Sequence, residues 1–586
     1  MHHGSCRSPQ YEAATLSFDI SGEELRRWFH FACLYSGGQI HQGKPHHVDW
    51  LIISTGLPGA ALKLPSLIKT RIAHQDFCRE NYQIAPPIIE TALDGLKTKL
   101  VCSVTIFGVF LRLIEIRQPF VDHWSWRQAD VAMIAENFYR NGFNILYPQI
   151  NWAGSSPGYV GTEFQVVAFI ASLFYLLFGV HEWIGRSVSV FFFAVSVPFF
   201  YLLVRKVSNE RSALFAVGIY TLAPLSIFSG RSFMPDMASL SLSIIALYLF
   251  AESLGRERNL WLLIVAAMAT SLAILVKLPA IIIGLPLVYM AWKKWRVQLL
   301  VIPQLWIFTA LSLIFPSVWY SHAYFISVSD FPHQMFGSEG ITIGNLSLYG
   351  KILRLAATSS LTPLLFVMLV VGIFLPPPRK FGRVFHWWLF GILLFAFMAA
   401  WGHRHPWYLL PLVPVAAAFA GFVCDFVLLR LLQPHGSKLV LVSACLTFFL
   451  ALAFLSYVYI HPLYQSWGIP SLNAGIEIDR LAPPNSLVIS ADDGNPTTIY
   501  YSKRKGWHFP QGSVLRLPWP ADGRQAISEF ETLRTQGGSY LIFTRSTFYL
   551  LSDQYIDFQK YLDSRYRRVR DTAEYIIFDL ADGRDE

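Results

Sequence analysis

The sequence predicts a mainly α, polytopic helical membrane protein with a long first outer loop and a small C-terminal α/β extramembrane domain. Three observations predict it. The 586 residues are 54% hydrophobic and 15% aromatic. Only 15% are charged, where a soluble chain carries roughly 25% to cover its surface. Apolar runs of the length needed to cross hydrocarbon as helix, about 17 to 25 residues, recur until about residue 460, and mean hydropathy is +0.41.

The net charge of +9 does not point to nucleic acid. The basic residues form short clusters between apolar runs ("RKVSNER", "GRER", "KKWR", "PPPRKFGR"), where they act as topology signals. The six cysteines, Cys6, Cys33, Cys78, Cys102, Cys424 and Cys445, form no CxxC or Cys/His metal spacing, and none follows Leu463.

Eleven spans are expected, near 100–117, 184–204, 212–230, 237–254, 259–276, 278–292, 298–316, 361–377, 384–401, 407–430 and 438–460. A twelfth run, Phe164 to Val180, is read as a helix on the membrane surface. With it outside, every basic cluster falls on the cytoplasmic side. The N-terminus is then cytoplasmic and the C-terminal domain extracytoplasmic, in a multi-pass protein of the plasma (inner) membrane. Residues 1–96 read as an extension without assigned role, 97–460 as the membrane domain and 461–586 as the outer domain. Long outer loops are expected at 118–183 and 317–360, and loops of that length usually carry function. In the tail, "NSLVISADD" and "SYLIFTR" read as strands, "GRQAISEFETLRTQGG" as a helix, and "YRRVRDTAEYIIFDL" as a final strand pair.

Charges beside apolar runs are costly and therefore mark candidate sites. Once the cytoplasmic clusters are set aside, Asp122, Arg127 and Asp130 remain after the first span, and Arg231 and Asp236 between the third and fourth. Lys277 lies between the fifth and sixth, and His403, Arg404 and His405 between the ninth and tenth. Four turns on one face imply one shared site. Arg and Lys there suit a phosphate, and a carboxylate suits a hydroxyl proton. Each residue also has a plainer reading. Asp122 can cap the helix that follows, Asp236 and Glu163 can favour a helix dipole, Lys277 can reach for headgroups, and the histidines can simply hydrogen-bond.

The segments "DHWSWRQADVAMIAENFYRNG", "PGYVGTEFQVVAFIASLFYLLFG", "GRSVSVFFFAVSVPFFYLLVRKV", "SGRSFMPDM", "HRHPWYLLPLVP" and "YYSKRKGW" occur in this order. Together they resemble the GT-C superfamily of membrane glycosyltransferases, in the bacterial branch related to dolichyl-phosphate-mannose protein mannosyltransferases and the lipid A aminoarabinose transferase. The resemblance runs from about residue 97 to the end. It implies inverting transfer of a sugar from a polyprenyl-phosphate donor to a glycan, lipid or protein hydroxyl on the outer face. It also implies Asp122 as general base and Asp236 as second acidic residue. Two departures stand out: His123 follows Asp122 where the mannosyltransferases carry an acidic pair, and "SSPGYVGTEF" lacks the lysine of the aminoarabinose transferase. The phosphate-binding cation is therefore sought among Arg127, Arg231, Lys277 and Arg404, with Asp130, Glu163, His403 and His405 as further site candidates. No cofactor is required by this reading, and a divalent metal held by Asp122, Asp130, Asp236, His403 or His405 stays open. The competing class is a transporter, flippase or noncatalytic handler of a lipid-linked envelope precursor. Transporters, however, show internal repeats and midplane polar residues, and neither is read here.

Overall fold

The computed structural model describes residues 87–583 apart from 256–258, 331–342, 344, 377–380, 400–404, 433–436 and 513–518. The N-terminal extension as far as residue 86, His403 and Arg404 lie outside the described residues.

Every predicted apolar run is occupied by helix. The first is α1 (Pro87–Leu113), which begins ten residues before the expected domain boundary. Then come α2 (Ser125–Asn141), α3 (Val166–Phe178), α4 (Glu182–Val207), α5 (Glu210–Leu222), α6 (Pro224–Arg231), α7 (Asp236–Gly255) and α8 (Leu260–Val276). Beyond these follow α9 (Gly284–Trp295), α10 (Pro303–Asp330), α11 (Leu346–Leu355), α12 (Pro363–Ile373), α13 (Val384–Met398), α14 (Leu412–Phe426) and α15 (Lys438–Ile460).

The expected count of eleven spans is not reproduced. By length and composition, four described helical segments can cross a membrane, or up to seven if each bent pair is one span. Two of the expected spans, Leu260–Val276 and Val384–Met398, are helices of fewer than 18 residues, and at three further places proline breaks the helix. α5 and α6 meet at 60°, the Leu278–Val301 segment and α10 at 100°, and the Leu346–Ser360 segment and α12 at 109°. In each pair the second helix starts on proline, at Pro224, Pro303 and Pro363. Proline lacks the amide hydrogen that would continue the preceding helix and disfavours helical backbone at the residue before it.

The expected loop at 317–360 is also corrected. α10 runs on to Asp330, and Leu346–Ser360 is helical, so most of that stretch is helix. The surface-helix segment is α3, whose 13 residues extend only about 20 Å, short of the roughly 30 Å hydrocarbon core. It leaves Leu176 and Leu177 59% and 74% exposed, apolar area suited to lipid.

Small residues set the closest packing. "VAAAFAG" in α14 buries Ala416, Ala417, Ala418 and Ala420 completely, and Gly421 abuts the Ser212 carbonyl and Ala216 of α5. Without side-chain bulk the two helix backbones approach, which is how apolar helices associate where water provides no driving force.

After α16 (Ile469–Leu481), the tail folds as β1 (Leu487–Ala491), α17 (Thr497–Ser502), β2 (Lys505–His508), α18 (Gly523–Thr535), β3 (Gly538–Thr544), α19 (Arg545–Gln554), α20 (Ile556–Arg565), β4 (Tyr566–Asp571) and β5 (Tyr575–Gly583). The sheet order is β2-β1-β3-β5-β4, with β2, β1 and β3 parallel and β5 antiparallel to both neighbours. Alternation along β1 sends Val488 to a core shared with α2 to α4, and Ile489 and Ala491 to one shared with α18 to α20.

The domain is stapled to the first loop. Gly506 of β2 donates its amide to the Asn151 carbonyl (2.9 Å) and accepts from the Gly154 amide (2.6 Å). Tyr501 accepts from the Phe120 amide (2.8 Å) and donates to Glu182 (2.9 Å). Gly154, at φ +65°, sits directly over the Trp507 indole, an approach that a side chain there would block.

Gly161 is equally constrained, since a Cβ there would run into the Ala323 carbonyl of α10. Gly161→Ala is expected to lower stability by about 1–3 kcal/mol, as overpacking does, read by unfolding of the purified protein in detergent. Unchanged stability would show that this segment is not held against α10.

Candidate active site

The charges predicted to share one site divide into two neighbouring groups. The first surrounds Asp122. After α1 the chain turns through Glu115, at φ +54°, and directs the carbonyls of Glu115, Ile116, Gln118 and Pro119 inward. Arg186 of α4 donates to these carbonyls and to Asp122 Oδ2 at 3.2 Å. Arg231, the last residue of α6, approaches the same oxygen at 3.6 Å and donates to the Glu115 carbonyl and Gln118 Oε1. Asp122 Oδ1 accepts from the Trp124 amide (3.0 Å) and from Gln128 Nε2 (2.8 Å). Asp122 is 1% exposed and both arginines 0%. Charges this deeply buried are tolerated only when paired and hydrogen-bonded.

The second group is less deeply buried, and two of its members, Asp236 and Lys277, line a cleft. Arg127 of α2 pairs with Glu163 and, at 3.9 Å, with Asp130 one helical turn further on. Asp130 Oδ1 accepts from Trp152 Nε1 at 3.2 Å. Asp236, the first residue of α7, pairs with Lys277, which ends α8 in extended conformation. Lys277 Nζ also lies 4.7 Å from the centre of the Tyr408 ring. The Arg127, Asp130, Glu163 and Lys277 side chains keep 20%, 14%, 13% and 17% exposure, so reagents can reach them.

Backbone contacts set Glu163. The Thr162 carbonyl accepts from Trp319 Nε1 (3.1 Å), and the Phe164 amide donates to the Leu275 carbonyl (3.0 Å). These bonds clamp the segment between α10 and the end of α8, beside Lys277.

Asp236 and Lys277 form the polar end of a narrow, partly open cleft whose walls include Ile282, Ile283, Trp388, Trp407 and Pro411. Asp236 Oδ2 is buried there without a hydrogen-bond partner among the described residues. The cleft is thus an apolar trough that ends on a few charges.

The two helix-turn charges of α2 are tuned. Burial works against the Arg127 charge, yet Glu163, Asp130, Asp236 and Tyr408 more than offset it and raise its pKa. Burial pushes the Asp130 carboxyl above the usual carboxylate range, while Arg127, the Trp152 hydrogen bond and His508 pull the other way.

The structure thus brings Arg127, Asp130, Glu163, Asp236 and Lys277 together. It places Asp122 and Arg231 in the buried group instead. His405 stacks on Trp407 (4.5 Å between ring centres) and lies 5.8 Å from Trp126, at the edge of the cleft wall. Sequence reasoning missed Arg186, Gln128, Trp152 and Tyr408. Arg186 carried a legible signal, an ionisable residue within an apolar run. Trp152 and Tyr408 carried none beyond an ordinary aromatic belt. Among the described residues no three His, Cys, Asp or Glu side chains converge as a metal site would require.

The family described as dolichyl-phosphate-mannose-protein mannosyltransferase matches residues 165–320, which include Arg186, Arg231, Asp236 and Lys277. No curated protein matches the chain in sequence. In three dimensions it is similar to ArnT from Cupriavidus metallidurans bound to undecaprenyl phosphate, at TM-score 0.54 and 14% identity, covering 83% of this chain and 98% of that one. It is also similar to the archaeal oligosaccharyltransferase AglB from Archaeoglobus fulgidus in complex with an inhibitory peptide and a dolichol-phosphate. There the TM-score is 0.52 and the identity 13%, over 81% of this chain and 74% of that one. The resemblance to GT-C membrane glycosyltransferases therefore stands, as a shared fold over most of the chain and a family match over part of it.

The two groups predict different outcomes on neutralisation. Asp122→Asn leaves Arg186 and Arg231 without their counter-charge and is expected to cost about 3–5 kcal/mol of stability, the usual penalty for breaking a buried pair. Asp130→Asn, at a partly exposed pair, should cost about 1 kcal/mol or less. Equal losses, measured by denaturant titration in detergent, would show that the burial difference does not separate their roles.

Proposed function

We propose that this membrane protein transfers a sugar from a polyprenyl-phosphate carrier to an acceptor hydroxyl at the cleft lined by α7, the residues that follow α8 and the turn at Trp407–Pro411, with Arg127 of α2 nearby. The observation that carries the reading is that Asp236 and Lys277 form the polar end of an apolar trough and that the Arg127–Glu163 pair lies close enough for Arg127 to feel Asp236, so that four segments bring charges to one place. The trough would hold the carrier's isoprenoid chain, and Lys277 and Arg127 its phosphate. Both cations are ion-paired in the described state, so the phosphate would take over contacts now made to Asp236 and Glu163. In the reaction the acceptor oxygen bonds to the anomeric carbon as the bond from that carbon to the phosphate oxygen breaks, with inversion. The acceptor proton goes to a carboxylate, and the carrier leaves as its phosphate. Cations beside the departing phosphate stabilise its growing charge.

The resemblance gives the base role to Asp122. Geometry favours a second reading, Asp130, because both Asp122 oxygens are engaged by buried donors whereas Asp130 is reachable and its basicity is raised by burial. The buried group around Asp122 would then set the shape on which the cleft depends. The active face is assigned to the extracytoplasmic side, together with the C-terminal domain, from the distribution of basic loops. The trough ending on paired charges at the edge of the bundle favours transfer over transport, which needs a path through the midplane.

The test is transfer of labelled sugar from a panel of polyprenyl-phosphate sugars into envelope extracts by the purified protein. Lys277→Met is expected to lower kcat/KM about 100- to 1000-fold, as loss of one oxyanion-stabilising donor does. Asp130→Asn should abolish turnover while binding donor at least as tightly as the unaltered protein if it is the base, and Asp122→Asn, in protein verified as folded, should abolish turnover if the resemblance holds. Donor binding without transfer from any member of the panel would favour carrier handling over catalysis.

A further inference from the structure

The C-terminal domain sends one chemically active pair toward the cleft. His508 ends β2, and Asp492 follows β1, the strand beside it. His508 Nδ1 and Asp492 Oδ1 are 3.2 Å apart, and both side chains are nearly inaccessible, at 2% and 1%. A carboxylate can only accept, so Nδ1 carries the hydrogen and the ring orientation is set. That leaves His508 Nε2 and Asp492 Oδ2 buried with no hydrogen-bond partner among the described residues.

In front of His508 lies Trp152, with ring centres 5.5 Å apart and planes at 60°. Trp152 donates its indole hydrogen to Asp130. A continuous row, Asp492, His508, Trp152, Asp130, Arg127, therefore runs from the C-terminal sheet to the cleft. The backbone bonds between Gly506 and residues Asn151 and Gly154 hold the two sides of the row in register.

We infer that the C-terminal domain is a working part of the cleft: His508, held by Asp492, buttresses Trp152 and through it fixes how Asp130 shares Arg127 with an incoming phosphate. His508 is a positioning residue in this arrangement, because Trp152 stands between it and the cleft. The inference rests on the phosphate reading of Arg127 proposed above. The charged groups facing Asp130 are Arg127 on its own helix, Glu163 from the segment before α3, and His508 from the C-terminal domain, with Trp152 supplying the hydrogen bond. Asp236 and Tyr408 reach it only through Arg127.

The direction of the effect follows. Ionised Asp130 competes with phosphate for Arg127, so protonating it strengthens phosphate binding on acidification. The Trp152 hydrogen bond and His508 both favour the ionised form. Removing either lets Asp130 take its proton at higher pH.

The experiment is equilibrium binding of undecaprenyl phosphate to the purified full chain in detergent between about pH 4.5 and 8.5. It compares the unaltered protein with His508→Gln and Trp152→Phe. The lipid's own titration is common to all three and cancels. Affinity should rise about tenfold on acidification, with the transition displaced upward by about half a pH unit or more in both variants. Trp152→Phe keeps an aromatic ring in place, so its displacement separates loss of the hydrogen bond from loss of packing. Superposed profiles would overturn the inference, as would variants that lose affinity equally at every pH, the signature of a merely structural role. Absence of lipid binding by the unaltered protein at every pH is a distinct result that overturns the phosphate reading of the cleft, and this inference with it.

Discussion

The carboxylate of Asp122 is the point on which the surrounding architecture turns. One buried negative charge faces two fully buried arginines, and those arginines come from helices α4 and α6, far apart in sequence. Without it both would be buried cations lacking a counter-charge. In meeting that requirement the chain folds the segment after α1 back over the bundle, turning four carbonyls toward Arg186, and so delivers α2 with a fixed register. Arg127 and Asp130 then project from the next turns of the same helix. The burial of one group is what allows the other to remain accessible.

Accessibility in turn divides the chemistry. An ion pair sealed from solvent resists exchange, because each partner would have to be desolvated alone. The Arg127–Glu163 and Asp236–Lys277 pairs are less deeply buried, and exchange of a carboxylate for another anion there costs far less. The walls of the trough beside Asp236 and Lys277 are apolar, contributed by Ile282, Ile283 and Trp388.

The C-terminal domain is bound into this arrangement by backbone as well as side chains. Gly154 permits main-chain pairing between the first loop and β2 that a larger residue would prevent against Trp507, and Gly506 permits the close approach of β2 to Val488 of β1. The pairing places Trp152 between the imidazole of His508 and the carboxylate of Asp130. A change in the orientation of the domain therefore has a direct electrostatic route to the cleft.

The sequence by itself determined what depends on local physics. Apolar runs of spanning length became helices, the tail became the parallel-to-antiparallel sheet, and the position of charges beside apolar runs picked out Arg127, Asp130, Asp236 and Lys277 along with Asp122 and Arg231. The prolines at 224, 303 and 363 were equally visible, and weighing their effect on the preceding residue would have corrected the count of uninterrupted spans. Only tertiary structure decided which charge meets which. Asp122 and Asp130 lie eight positions apart with similar neighbours, yet the arginines that bury one come from distant helices, and the tryptophan and histidine that tune the other come from a loop and a separate sheet. Burial and partner choice arise from contacts between segments remote in the chain, and no spacing within one segment encodes them.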